Sequence, residues 1–129
     1  MSALTKILYA EDEPDISEII MLALESVGGF EVVGCPSGLS VIDSALTFTP
    51  QLILLDVMMP DMDGPTTLKL LKEHPVLQAI PVVFLTAKIL PDELERFKVL
   101  GAIDVISKPF DPMTLADEIK IIWDTFHAG

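Results

Sequence analysis

The sequence predicts an α/β domain built on a doubly wound, five-stranded parallel sheet with helices on both faces. Short apolar runs recur five times along the 129-residue chain. Stretches of helical apolar spacing alternate with them. The runs are almost wholly apolar, the pattern of strands that are covered on both sides.

The strand candidates are 6–10, 30–34, 51–55, 81–85 and 103–106, and the helix candidates are 14–27, 37–48, 64–73, 91–100 and 112–126. In the first helix Ile16, Ile19, Ile20, Ala23, Leu24 and Val27 form one apolar stripe. Pro14 suits its first turn, and Gly28-Gly29 ends it. In the last helix Leu115, Ala116, Ile119, Ile122, Trp123 and Phe126 share a stripe expected to face the core, with Asp111 as N-cap and Pro112 next. Ile121 falls off that stripe. Five strands joined by helices give the flavodoxin-like order 2-1-3-4-5.

The length suits one domain with a substantial core. Half the residues are hydrophobic, which excludes a disordered chain. No apolar stretch approaches the about 18 residues of a membrane span, and residues 1–6 lack the features of a signal peptide. Cys35 is the sole cysteine, so no internal disulfide forms and a reducing cytoplasm is expected. Cys35 should sit half-buried at a strand end without a chemical role. Net charge is -12, from 20 acidic and eight basic residues. Without a basic patch, neither nucleic acid nor membrane is expected as a partner. His74 and His127 have no partners at metal-ligand spacing.

Most of the acidic residues are read as a solvated surface, but three are placed differently. Asp56 closes the run Leu52-Ile53-Leu54-Leu55, and Glu11-Asp12 follow Ile7-Leu8-Tyr9-Ala10. The C-terminal ends of parallel strands are where ligands bind in such sheets. Strand ends one, three, four and five would gather Glu11, Asp12, Asp56, Thr86 and Lys108 in one crevice. Clustered carboxylates are costly until a cation or proton relieves them. Carboxylates with a backbone carbonyl make an incomplete oxygen shell suited to Mg²⁺. Lys108 would supply a point charge for a phosphoryl group and Thr86 a hydroxyl donor. Asp56 would then be the nucleophile that forms an acyl phosphate. Singly, each residue has a plainer role: a helix cap for Glu11 or Asp12, a strand-end hydroxyl for Thr86, a solvated loop lysine for Lys108.

Glu11-Asp12, Leu55-Asp56-Val57-Met58-Met59-Pro60-Asp61-Met62-Asp63-Gly64, Thr86-Ala87 and Lys108-Pro109-Phe110 together resemble the receiver domain of two-component response regulators. The resemblance covers essentially the whole chain and implies a single receiver domain, 1–129, with no output domain. It implies that Asp56 is the phosphoacceptor, that Asp12 binds Mg²⁺ directly, and that Glu11 holds it through water. The Met58 carbonyl would be a further ligand. Thr86 would hydrogen-bond the incoming phosphoryl group and Lys108 would pair with it. The Lys108-Pro109 bond is a candidate cis bond. Gly64 looks like a turn glycine able to take positive φ. The donor would be a sensor histidine kinase or a histidine phosphotransfer protein, and the chain would catalyse only its own phosphorylation and dephosphorylation. Its signal would pass to a downstream protein through the face of helix 4, strand 5 and helix 5, where a dimer could also form.

Two departures from the family pattern matter. The acidic pair is Glu-Asp instead of the commoner Asp-Asp, which should leave Mg²⁺ binding intact. Val105 stands where many receivers carry a Tyr or Phe that swings inward. Activation is therefore expected to use Thr86 and the loop after strand 4. Met58 and Lys88 flank the path of an attacking water, and an apolar Met58 should slow hydrolysis. A dehalogenase-type phosphatase would need an acid at position 58. A flavodoxin-like cofactor binder would need a phosphate loop where Glu11-Asp12-Glu13 stand. A phosphorylation-independent interaction module on the same fold is the remaining alternative.

Overall fold

The computed structural model describes residues 3–87 and 90–128. Five parallel strands, β1 (Lys6–Ala10), β2 (Glu31–Cys35), β3 (Leu52–Asp56), β4 (Val82–Thr86) and β5 (Asp104–Ser107), form one sheet in the order β2-β1-β3-β4-β5. The helices are α1 (Pro14–Met21), α2 (Val41–Phe48), α3 (Gly64–Glu73), α4 (Pro91–Leu100) and α5 (Leu115–Ala128). This is the predicted architecture and strand order.

Because β3 and β4 are buried at every residue, their alternate side chains feed two separate cores. Leu8, Ile53, Leu55, Val82 and Phe84 pack with α2, α3 and α4, where Phe84 meets Phe97 edge to face at 4.9 Å. Ile7, Tyr9, Leu52, Leu54, Val83 and Leu85 pack with the first and last helices around Ile20, Leu24, Ile119 and Trp123. Each fully buried aliphatic side chain contributes about 1.5–3 kcal/mol, so β3 and β4, set between the two cores, anchor the sheet.

Helix α1 does not run regularly to residue 27. It passes into a π-helical stretch, Leu22–Val27, closed by a Gly28 N–H donating to the Ala23 carbonyl at 3.1 Å. Wider winding turns less per residue than the α-helix assumed in the predicted stripe. Ala23 and Leu24 stay buried while Val27 ends 41% exposed. Ile19 is equally exposed, at the edge of the stripe.

Three smaller expectations are also corrected. Asp111 does cap, accepting from the Met113 N–H at 2.9 Å, but a turn intervenes before α5 begins at Leu115. Phe126 is not core: it is exposed at the helix end beside His127, whose ring stacks on Trp123. Cys35 sits at a strand end as expected, but it is buried outright.

Candidate functional site

Backbone ladders place the reactive groups. The Glu11 N–H donates to the Cys35 carbonyl at 3.0 Å, extending the β1–β2 pairing by one residue and fixing Glu11 at the sheet edge. Asp56 is the last residue of β3, in register with Leu85 of β4. Thr86 ends β4, and its carbonyl accepts the Lys108 N–H at 2.8 Å. The topology thus brings residues 97 apart in sequence to one rim.

At that rim the carboxylates of Glu11, Asp12 and Asp56 offer oxygens that all lie within 4.8 Å of one another. Glu11 and Asp56 are almost fully buried, while Asp12 is partly exposed. Lys108 Nζ lies 2.8 Å from Glu11 Oε1 and 3.0 Å from Asp56 Oδ1, and these are the two ion pairs among the described residues. Burial would draw the Lys108 ammonium down, but hydrogen bonds to Glu11 and Asp56, with the charge behind them, outweigh it and hold its pKa above the ordinary lysine value. The Glu13 N–H donates to Glu11 Oε2 at 3.2 Å, and the Met58 N–H approaches Asp56 Oδ1 at 3.4 Å.

One ammonium does not neutralise three carboxylates. At 4.8 Å and an effective dielectric of about 20, each carboxylate pair repels by roughly 3.5 kcal/mol. The cluster therefore favours whatever brings in positive charge or removes a negative one. Its donor set is entirely oxygen, as a hard divalent cation requires.

Of the predicted side chains, Glu11, Asp12, Asp56 and Lys108 come together. Thr86 is buried at the edge between Asp56 and Lys108. Met58 projects outward, 77% exposed. The Lys108-Pro109 bond is cis. Val105 is 9% exposed and packs in the same core as Phe84 and Phe97, so no aromatic ring stands there to swing. Lys88 lies outside the described residues. Gly64 does not take positive φ; Asp61 does, at 67°. A Cβ at Gly64 would stand 2.6 Å from the Asp56 carbonyl oxygen, so close approach is what excludes a side chain.

Sequence reasoning missed two features. Glu11 pairs directly with Lys108, a contact that no local pattern in the sequence marks. Beneath Glu11, the Tyr9 hydroxyl bonds Ser17 Oγ at 2.8 Å and lies 3.0 Å from the Ser17 carbonyl, anchoring α1 to β1. Gly34 leaves room for that ring, since a Cβ there would fall 2.5 Å from the tyrosine oxygen.

Residues 7–120, a span that includes every one of these groups, match the family of the response regulator receiver domain. The chain belongs to this family. Relatives include the transcriptional regulatory protein CseB of Streptomyces coelicolor, 35% identical over 100% of this chain and 54% of its own length. The phosphate regulon transcriptional regulatory protein PhoB of Escherichia coli is 38% identical over 91% of this chain and 51% of its own. The chain thus spans about half the length of these curated relatives. Among solved structures, chemotaxis protein CheY4 of Vibrio cholerae superposes with a TM-score of 0.85 at 27% identity, covering 93% of this receiver and 99% of that chain. The N-terminal domain of a response regulator receiver protein from Methanoculleus marisnigri gives 0.76 at 34% identity, covering 92% and 96%.

Proposed function

We propose that this receiver accepts a phosphoryl group on Asp56 from a phosphohistidine of a sensor kinase or phosphotransfer protein, in a Mg²⁺-dependent reaction. The observation that carries the reading is the convergence of Glu11, Asp12 and Asp56 around the amine of Lys108.

A carboxylate oxygen of Asp56 attacks phosphorus, the O–P bond forms, and the P–N bond of the donor breaks. Lys108, within 3.0 Å of Asp56 Oδ1, pairs with the transferred oxygens. Thr86 donates its hydroxyl to them. Asp12, Asp56 and the Met58 carbonyl would hold Mg²⁺, with Glu11 acting through water, and the ion would supply the charge that offsets the phosphoryl oxygens. The protein acts on its own side chain and turns over no other substrate. Met58, apolar and at the lip, obstructs the hydrolytic water, so the acyl phosphate is lost slowly and Met58→Asn accelerates its loss.

Downstream, the buried Val105 directs activation through Thr86 and the segment after β4. The signal reaches a protein partner across α4, β5 and α5, where exposed Val99 and Ile121 give a dimer its apolar contact. Among the described residues no helix is long and apolar enough to cross a membrane, and a cytoplasmic setting is where such kinases deliver phosphate. The rival reading, a receiver-fold module that works without phosphorylation, has only Val105 in its favour.

The test is incubation with acetyl phosphate and Mg²⁺, read by intact mass spectrometry. One added phosphoryl group on the wild type and none on Asp56→Asn are expected. Label persisting on Asp56→Asn, or none on the wild type, would overturn the reading.

A further inference from the structure

Met58 and Met59 are adjacent, yet they meet different surroundings. Met59 is 8% exposed and packs into the core beneath α2, α3 and α4. Met58 is 77% exposed, which among the large apolar side chains of the described residues only Val99, at 78%, exceeds. Its backbone is held in place. The Met58 N–H lies 3.4 Å from Asp56 Oδ1, and the loop closes behind it through a Gly64 N–H that donates to the Val57 carbonyl at 3.0 Å. A thioether open to solvent is thus carried two residues from the phosphoacceptor, on backbone tethered to the Asp56 carboxylate.

We infer that Met58 is a redox-modification site whose oxidation to the sulfoxide by hydroperoxides shortens the life of the acyl phosphate on Asp56. The effect on lifetime rests on the function proposed above; the modification itself does not. A lone pair on Met58 Sδ attacks the terminal oxygen of the hydroperoxide as the O–O bond breaks and an S–O bond forms. Sulfur is oxidised by two electrons, and the hydroperoxide is reduced to its alcohol, or to water for hydrogen peroxide. The proton on the new oxygen passes to the departing oxyanion. An apolar obstruction becomes a strong hydrogen-bond acceptor. The sulfoxide oxygen then orients the water that the thioether had excluded. Hydrolysis should rise by about two- to tenfold, the rate equivalent of one hydrogen bond gained in the transition state.

The experiment treats the protein with hydrogen peroxide and maps methionine oxidation by peptide mass spectrometry, with Met113, 66% exposed, as an internal reference. Oxidised and untreated samples are then phosphorylated with acetyl phosphate and Mg²⁺, and loss of the phosphoryl group is timed. Met58→Leu, apolar and not oxidisable, and Met58→Gln, polar and of similar length, are run alongside; both change an exposed side chain and leave the core untouched. Expected are sulfoxide at Met58 at least as early as at Met113, faster decay in the oxidised wild type and in Met58→Gln, no change on oxidising Met58→Leu, and reversal by methionine sulfoxide reductase. Unchanged decay with Met58 fully oxidised would overturn the inference, as would a Met58 that resists peroxide while Met113 reacts. Untreated protein that takes up no phosphoryl group refutes the proposed function and the lifetime effect together, while the peptide map still decides the modification.

Discussion

Replacing Asp56 with Asn should make the metal-free protein more stable, although it removes a native ion pair. Asp56 faces Glu11 and Asp12 with oxygens no more than 4.8 Å away, and at an effective dielectric of about 20 each repulsion is at least roughly 3.5 kcal/mol. Against these stands one attraction, to Lys108 at 3.0 Å, of roughly 5.5 kcal/mol on the same scale. Two repulsions exceed one attraction, and the burial of the Asp56 carboxylate adds a further cost. Asn keeps the shape and a hydrogen-bonding oxygen, and it leaves Lys108 to Glu11. After solvent screening, a net gain of about 1–3 kcal/mol is expected, because Asp12 is partly exposed. Urea unfolding in EDTA, followed through the buried Trp123, measures it. With Mg²⁺ present the wild type should gain about 2.7 kcal/mol at one hundred times its dissociation constant, and Asp56→Asn much less. A metal-free Asp56→Asn no more stable than wild type would refute the electrostatic reasoning.

Other perturbations probe the same rim. Lys108→Met strands two buried carboxylates and should cost about 3–5 kcal/mol in EDTA, partly recovered by Mg²⁺, in parallel urea titrations. Gly64→Ala drives a methyl against the Asp56 carbonyl and should cost about 1–3 kcal/mol by the same method, with phosphoryl uptake slowed as the backbone shifts. Burial, together with Cys35 and Glu11, raises the Tyr9 pKa above its ordinary 10.0 against the opposing Ser17 hydrogen bond. The folded state thus keeps a proton that the unfolded chain releases near pH 10. This contribution is whole below pH 10 and is lost as pH climbs from there through the folded value. Tyr9→Phe should cost about 1 kcal/mol at neutral pH and flatten the alkaline fall in stability.

The sheet was legible because β3 and β4, buried at every residue, carry continuous apolar runs that admit little else. Strand order followed from that regularity, and the site from strand-end residues whose chemistry makes sense together. What stayed hidden depends on contacts across the fold. The π-helical end of the first helix lies where Gly28 comes so close to Ala116 that a Cβ would stand 2.7 Å away, and apolar spacing alone does not record that approach. Pairing of Glu11 with Lys108 depends on side-chain reach across a gap no local pattern encodes. Gly64 is needed for close approach and not for positive φ; a turn and a tight approach look alike in sequence.

In the strand order observed, β3 and β4 stand between β1 and β5, roughly 14 Å of sheet. The chain beyond β5 turns back over that rim, where the Lys108 N–H meets the Thr86 carbonyl and its amine meets Glu11, so the salt link works as a clasp fastening a four-residue outer strand to the middle of the domain. A group on Asp56 that drew the amine away would undo the clasp. Chemistry at the centre would then be felt at the margin, without a moving ring to carry it.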